Sequence, residues 1–130
     1  MRIERTFSGA PWEGEVGYCR ALRAGRHIFV TGTAPVAEAG GVHAPGDAHA
    51  QARRCFEIIR AALADLGAGL EHVVRTRMFV TDITRWREYG RAHAEMFAGH
   101  PPATTMVEVR ALIDPDMLIE VEAEAILPEP

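Results

Sequence analysis

The chain has 130 residues, of which 48% are hydrophobic and 25% are charged, and its formal net charge is −4. This composition predicts one globular domain over residues 1–130 that buries a core without disulfides or metal ions, and it excludes a disordered chain. The acidic balance and the lack of any run of basic residues disfavour a nucleic-acid-binding surface.

The cysteines and the hydropathy pattern indicate a cytoplasmic protein. Cys19 and Cys55 match no zinc or redox spacing, so we expect two reduced thiols. No apolar run approaches the roughly 18 residues that a membrane-spanning helix needs. The amino-terminal sequence also lacks the apolar stretch of a signal peptide, and we expect no membrane association.

The first part of the chain has the pattern of short strands and loops. Side chains that alternate in polarity predict a strand over residues 2–7, and a stretch rich in Gly and Pro predicts a loop over residues 8–17. Two apolar runs, residues 18–22 and 27–31, are separated by Ala24-Gly25 and predict a β-hairpin.

A long amphipathic helix is predicted after a glycine-rich loop over residues 32–46. Asp47 is suited to the N-cap, and Gly67 is a typical terminating residue. Apolar residues between them recur at spacings of three and four, namely Ala48, Ala52, Cys55, Phe56, Ile59, Ala62, Leu63 and Leu66. This periodicity predicts a helix of about five turns.

The second half of the chain adds three strands and one helix. Strands are predicted over residues 74–80, 104–110 and 118–127, and a helix capped by Thr84 is predicted over residues 85–98. The helix is expected to place one set of side chains on its inner face: Trp86, Tyr89, His93, Met96 and Phe97. In that position His93 is a core histidine rather than a metal ligand.

The predicted elements indicate an α+β fold, a mixed six-stranded sheet with two helices packed on one face. The other face of the sheet needs a cover. The last strand places three carboxylates there, Glu120, Glu122 and Glu124. A partner subunit around a polar cleft would cover such a face better than an apolar core would.

Four groups of residues occur in the order of a known family. They are residues 17–18 with 29–32, residues 66–68 with 73–76, residues 79–82, and residues 101–103 with 119–123. In these groups the chain resembles the RidA family, also called YjgF or endoribonuclease L-PSP-like. The resemblance extends from about residue 17 to residue 127.

The resemblance implies a chorismate-mutase-like fold and a homotrimer with a small-molecule ligand in each cleft between subunits. It also implies hydrolysis of 2-imino acids to 2-keto acids and ammonia, without a cofactor. In the family, an arginine directly after Pro-Ala binds the substrate carboxylate. A tyrosine, a hydroxyl residue in a strand-end turn, backbone groups and a glutamate that positions the attacking water complete the cleft.

Four residues of this chain match family positions in the cleft. Tyr18, Thr31 and Gly32 are the implied ligand-binding residues, and Glu120 is the implied catalytic residue. Each also has a simpler interpretation. Tyr18 can be an interface tyrosine, Thr31 an ordinary turn residue, and Glu120 part of a solvated strand face.

Three positions depart from the family pattern. Thr104 stands where the family has the arginine, Gly90 where many members have an asparagine, and Met106 where some have a cysteine. Loss of one partner of a desolvated ion pair costs about 2–5 kcal/mol. We therefore expect weak or no 2-imino acid hydrolysis, 2-iminobutanoate included.

Another arginine could supply the missing charge, and Arg20, Arg77 and Arg110 are the candidates. Arg20 is the favoured one, although surface or interface salt bridges explain all three more simply.

Three functions remain open at this point. The first is a trimeric small-molecule-binding protein. The second is a deaminase or hydrolase of altered specificity that uses Glu120 and water. The third is a regulatory binding protein or an RNase. The histidines lack the spacing of a metal site, and we expect neither a metal nor a cofactor.

Overall fold

A computed structural model describes all 130 residues of the chain. It contains three helices and six strands in the order β1 (Ile3–Thr6), α1 (Pro11–Val16), β2 (Ala21–Ala24), β3 (His27–Thr33), α2 (Ala48–Asp65), β4 (Val73–Val80), α3 (Trp86–Met96), β5 (Ala103–Glu108) and β6 (Ile119–Ile126). Single 3-10 turns at Leu70–His72 and Ile83–Arg85 precede β4 and α3.

The six strands form one sheet in the order β1-β2-β3-β6-β4-β5. Only the β4–β5 pair is parallel, and α3 makes the crossover between these two strands. The sheet is therefore mixed, as the sequence predicts. The carboxy-terminal strand β6 lies between β3 and β4, at the centre of the sheet.

The core lies between the sheet and the helices α2 and α3. The Asp47 carboxylate accepts a hydrogen bond of 3.0 Å from the Ala50 amide, which confirms the predicted N-cap of α2. Phe56 of α2 packs edge-on against Phe97. Alternate residues of β6 are buried beneath the helices, namely Ile119, Val121, Ala123 and Ala125.

Residues 8–17 differ from the predicted loop because α1 forms there. Pro11 occupies the first turn, where its fixed φ suits a helix and its missing N–H is not needed. The buried Glu13 carboxylate accepts hydrogen bonds from the amides of Ser8 and Gly9 and from the Ser8 hydroxyl. The fold thus has a third, short helix beside the two that were predicted.

The start of α3 also differs from its prediction. Thr84 does not cap it: the Asp82 carboxylate accepts from the amide and the hydroxyl of Thr84 and so caps a 3-10 turn, and α3 itself has no side-chain cap. The 3-10 turn at Ile83–Arg85 delays the helix until Trp86 and rotates that side chain outward. Trp86 is 48% exposed and contacts Arg87, so it does not belong to the inner face.

Strand boundaries and one strand face differ in smaller ways. Strand β2 begins at Ala21, which leaves Tyr18 and Arg20 in the segment before it. Val74 points outward because the pairing of β4 with β6 shifts register between Val73 and Arg75.

Candidate functional site

Six of the seven predicted site residues fall into two separate groups in the chain. Tyr18, Gly32 and Glu120 line one cavity, whereas Thr104, Met106 and Gly90 do not line it. Glu120 is in β6 and Gly32 in β3, while Thr104 and Met106 are in β5 and Gly90 is in α3. Three strand spacings of about 4.8 Å, or roughly 14 Å, separate β3 from β5.

The closest approach in the first group is between Gly32 and Glu120. A Cβ atom on residue 32 would lie 2.8 Å from Glu120 Oε2, so only glycine leaves room for the carboxylate in this position. Gly32 and Thr31 lie within β3, at an irregularity of its pairing with β6, rather than in the turn that the sequence suggested.

Thr31 does not line this cavity, because its hydroxyl is turned toward the backbone. Its Oγ1 donates a hydrogen bond of 2.7 Å to the carbonyl of Cys19. Thr31 therefore holds the segment that carries Tyr18 and Arg20 against β3. Its contact with a ligand stays a prediction, and Thr31 lines a second pocket that Tyr18 also borders.

Glu120 is the half-buried carboxylate of the cavity. Burial raises the pKa of Glu120 above its ordinary value; nearby Arg20 opposes this shift, and Glu122 adds to it. Glu122 and Glu124 do not line the cavity, and both form ion pairs with Arg77 at 3.3 and 2.9 Å. Of the three predicted carboxylates, only Glu120 is available to a ligand in the cavity.

The cavity has a volume of about 560 Å³ and reaches from Glu120 to α1 and α2. Trp12 and Val16 of α1 and Ile58 of α2 form apolar parts of its wall. The sequence analysis assigned no function to these residues, because it predicted a loop where α1 lies. Residues 54, 57, 58 and 61 of α2 also line the cavity. These residues are separated by three, one and three positions, which is the spacing of one helical face. This pattern in the sequence could have identified them as a group.

The structure separates the three candidate arginines. Arg77 is occupied by Glu122 and Glu124, and Arg110 is exposed in the segment after β5. Arg20 is only 9% exposed and lines the cavity. Its Nη2 donates to the Gly32 carbonyl at 2.6 Å, and its Nε has no partner. Arg20 is therefore the one candidate that lies beside Tyr18 and Glu120.

Thr104 ends a short chain of polar groups in the second group. Thr76 Oγ1 donates to Thr104 Oγ1 at 2.7 Å, and the same Thr76 oxygen lies 2.8 Å from His93 Nε2. Because the one Thr76 proton is given to Thr104, Nε2 of His93 is the donor to Thr76. Burial lowers the pKa of His93, which keeps its ring neutral at pH 7. The Thr104 hydroxyl then keeps its own proton for another acceptor.

The remaining predicted residues of the second group offer little polarity. Met106 is partly buried and packs against the core. Gly90 is half-buried on α3, and a Cβ atom there would meet no heavy atom within 4 Å. His93 is part of the core, as predicted from its position on the inner face of the helix.

No group of three or more His, Cys, Asp or Glu side chains lies close enough to hold a metal ion. None of the three helices combines the length and the apolar character that crossing a membrane requires.

Comparison with known proteins decides the family. Residues 10–127 match the family model described as Endoribonuclease L-PSP. The chain belongs to this family. Solved structures of the same family, also named after YjgF, share its chorismate-mutase-like α+β fold, which confirms the predicted fold class.

Relatives of this endoribonuclease L-PSP family member cover nearly its whole length. A Mycobacterium tuberculosis protein of the YjgF/YER057c/UK114 family is 44% identical with a TM-score of 0.88, over 97% of this chain and 100% of that one. The Escherichia coli YjgF gene product is 28% identical with a TM-score of 0.78, over 94% and 92% of the two chains. An uncharacterized protein of Streptomyces coelicolor is 36% identical over 95% of this chain and 91% of its own.

Proposed function

We propose that this family member is a homotrimeric small-molecule-binding protein, with its ligand in clefts between subunits and with weak or no 2-imino acid hydrolysis. The observation that carries the proposal is the cavity that Tyr18, Gly32 and Glu120 line together. A small ligand in that cavity cannot also reach Thr104 of the same chain, across two intervening strands. A second copy that contributes its β5 would bring both groups to one ligand.

The open face of the sheet supports an assembly of subunits. Phe29 and Val107 point from this face and are 49% and 42% exposed. Arg77, Glu122 and Glu124 form an ion-pair cluster beside them. Such a mixture of apolar and paired charged groups suits a protein interface, and a partner subunit would cover it.

Thr104 is the reason to expect weak hydrolysis of 2-imino acids. An arginine fork binds a carboxylate through two charge-assisted hydrogen bonds, whereas the Thr104 hydroxyl offers one neutral donor. The network with Thr76 and His93 leaves that donor free for a ligand but supplies no charge. The second half of the cleft therefore suits a neutral acceptor on the ligand.

A second candidate function, hydrolysis of a different substrate, is favoured by Glu120. A carboxyl group with a raised pKa accepts a proton from water more readily than an ordinary glutamate does. The cavity also shields it from bulk solvent. In this function Glu120 positions and activates the attacking water.

The proposal is tested with freshly generated 2-iminobutanoate, by measuring the release of 2-ketobutanoate over the uncatalysed background. We expect a rate at least about 30-fold below that of an arginine-containing family member, which is the lower end of the effect of losing such a partner. Thr104→Arg should raise the rate, because it restores the fork next to Pro102-Ala103.

Thr104→Gln is the matched control, since it lengthens the side chain at the same position without adding the charge. A wild-type rate equal to that of the arginine-containing member would contradict the proposed loss of activity.

A further inference from the structure

Arg20 is a buried cation that lacks a carboxylate partner. Its side chain is among the few buried charged groups of the chain, at 9% exposure. The recorded ion pairs involve Arg2, Arg26, Arg53, Arg77 and Arg85, and not Arg20. Its Nε is buried without any hydrogen-bond partner. A guanidinium stays charged at every accessible pH, so this site is short of an acceptor.

The surroundings of Arg20 stabilise the charge only in part. The Gly32 carbonyl accepts from Nη2, and the Tyr18 ring lies 5.9 Å from the guanidinium carbon. Glu120 acts on Arg20 through space but lies beyond ion-pair distance. A buried charge normally has a hydrogen-bonded counter-ion, because desolvation is costly. An anion in the cavity would provide a counter-ion for the guanidinium, through the part of Arg20 that lines the cavity.

Arg54 adds a second cation to the same cavity, from α2. Its Nε donates to the Val36 carbonyl at 2.7 Å, which fixes the guanidinium against the loop after β3. It forms no recorded ion pair, unlike its neighbour Arg53, which lies 3.2 Å from Glu95 and does not line the cavity. Two guanidinium groups without carboxylate partners thus border one cavity.

The part of the cavity that would hold the body of the ligand is apolar. Trp12, Val16 and Ile58 form that wall, whereas the charged Glu38 and Glu57 are exposed at the rim. A volume of about 560 Å³ accommodates a small organic molecule. The chemistry is that of a site for a compound with one anionic end and an apolar body.

We propose that this cavity binds a small carboxylate, whose anionic group is held by Arg20 with help from Arg54 and whose apolar body packs against α1 and α2. The inference rests on the proposed function in locating the ligand beside Tyr18 and Glu120. It differs from the proposed function in the position of the ligand's charge. That charge lies within one subunit, on the side of the site opposite to Thr104.

The test compares phenylacetate with phenylacetamide, which differ only in the anionic group, by calorimetric titration of the wild-type protein. We expect phenylacetate to bind at least about tenfold more tightly, because only a carboxylate makes charge-assisted bonds to a guanidinium. Equal affinities, or no binding of phenylacetate at millimolar concentration, would overturn the proposal. This comparison needs no variant and so does not depend on the folding of one.

Three variants then assign the effect. Arg20→Gln should remove the preference for phenylacetate over phenylacetamide, and Arg20→Lys should retain part of that preference. Arg53→Gln is the matched control on α2 and should bind both compounds as the wild type does. An undiminished preference in a folded Arg20→Gln protein would also overturn the proposal.

The outcomes separate this inference from the proposed function. If the chain is a monomer and the preference still depends on Arg20, the cleft between subunits is wrong and the carboxylate site stands. If a trimer forms and the two compounds bind equally, the carboxylate site is wrong and the cleft is unaffected.

Discussion

At the scale of single residues, the contact between Gly32 and Glu120 determines where the site's carboxylate lies. A Cβ atom on residue 32 would lie 2.8 Å from Glu120 Oε2, so the absence of that atom leaves room for the carboxylate oxygen. Arg20 is held on the carbonyl of the same glycine. Gly32 therefore leaves room for the carboxylate of the cavity and accepts a hydrogen bond from its guanidinium.

Arg20 is expected to control the protonation of Glu120. Burial raises the pKa of Glu120 and Arg20 lowers it, so Arg20→Gln should raise that pKa further. NMR titration of the Glu120 carboxyl carbon measures this directly. Because the folded pKa lies above the unfolded one, Glu120 contributes stability at low pH that is lost as the pH rises through the folded pKa.

Arg53→Gln serves as the control for this titration, because Arg53 pairs with Glu95 and lies outside the cavity. An unchanged Glu120 pKa in Arg20→Gln would mean that the two groups are not electrostatically coupled.

At the scale of elements, α1 and α2 form for different reasons. Helix α2 has 18 residues, a capping Asp47 and a regular apolar stripe, and each of these is visible in the sequence. Helix α1 has six residues and is too short to be stable alone. The buried Glu13 holds it in place through the amides and hydroxyl of the preceding turn.

Removal of the Glu13 carboxylate should therefore release α1 and open the cavity wall. Glu13→Ala leaves partly buried donors at Ser8 and Gly9 without an acceptor, and we expect a loss of about 1–3 kcal/mol in the free energy of unfolding. Urea denaturation measures this loss. Binding of phenylacetate should weaken as well, since Trp12 and Val16 of α1 line the cavity.

Glu15→Ala is the matched control, because Glu15 belongs to the same short helix but is exposed. Equal stabilities of the two variants would show that Glu13 does not hold α1.

At the scale of the whole molecule, the sheet order separates the two groups of site residues. Strand β6 inserts between β3 and β4, so Gly32 and Thr104 lie on strands that are not neighbours. The open face beside them carries exposed apolar side chains. Both features are accounted for by an assembly in which one subunit's β5 approaches the cavity of the next.

This assembly predicts a particle of three times the 14.2 kDa chain mass in solution. Light scattering at micromolar concentration measures it. Phe29→Asp should dissociate the trimer, because Phe29 is 49% exposed on the face that the partner would cover. Trp86→Gln is the control, since Trp86 is equally exposed but begins a helix on the other side of the sheet. A wild-type monomer would contradict the trimer.

The sequence alone determined the family, the α+β class, helix α2 and the alternation of β6. The family was indicated by the resemblance in four groups of residues, whereas the class and the two elements follow from local periodicity and capping, which Asp47 and the apolar stripe of α2 display directly. The resemblance also implied that Tyr18, Thr31, Gly32 and Glu120 lie in one cleft with Thr104, Gly90 and Met106, and Tyr18, Gly32 and Glu120 line one cavity. Local pattern was sufficient wherever a residue's environment is set by its own element.

Only the tertiary structure decided the rest. Helix α1 exists because Glu13 is buried, and the rotation of Trp86 depends on a 3-10 turn that periodicity does not reveal. The sequence favoured Arg20 over Arg77 and Arg110 but could not show their partners: Arg77 is paired, Arg110 is exposed, and Arg20 is buried beside Glu120 without a carboxylate partner. The physical reason is that burial and ion pairing depend on groups that are distant in the chain and meet only on folding.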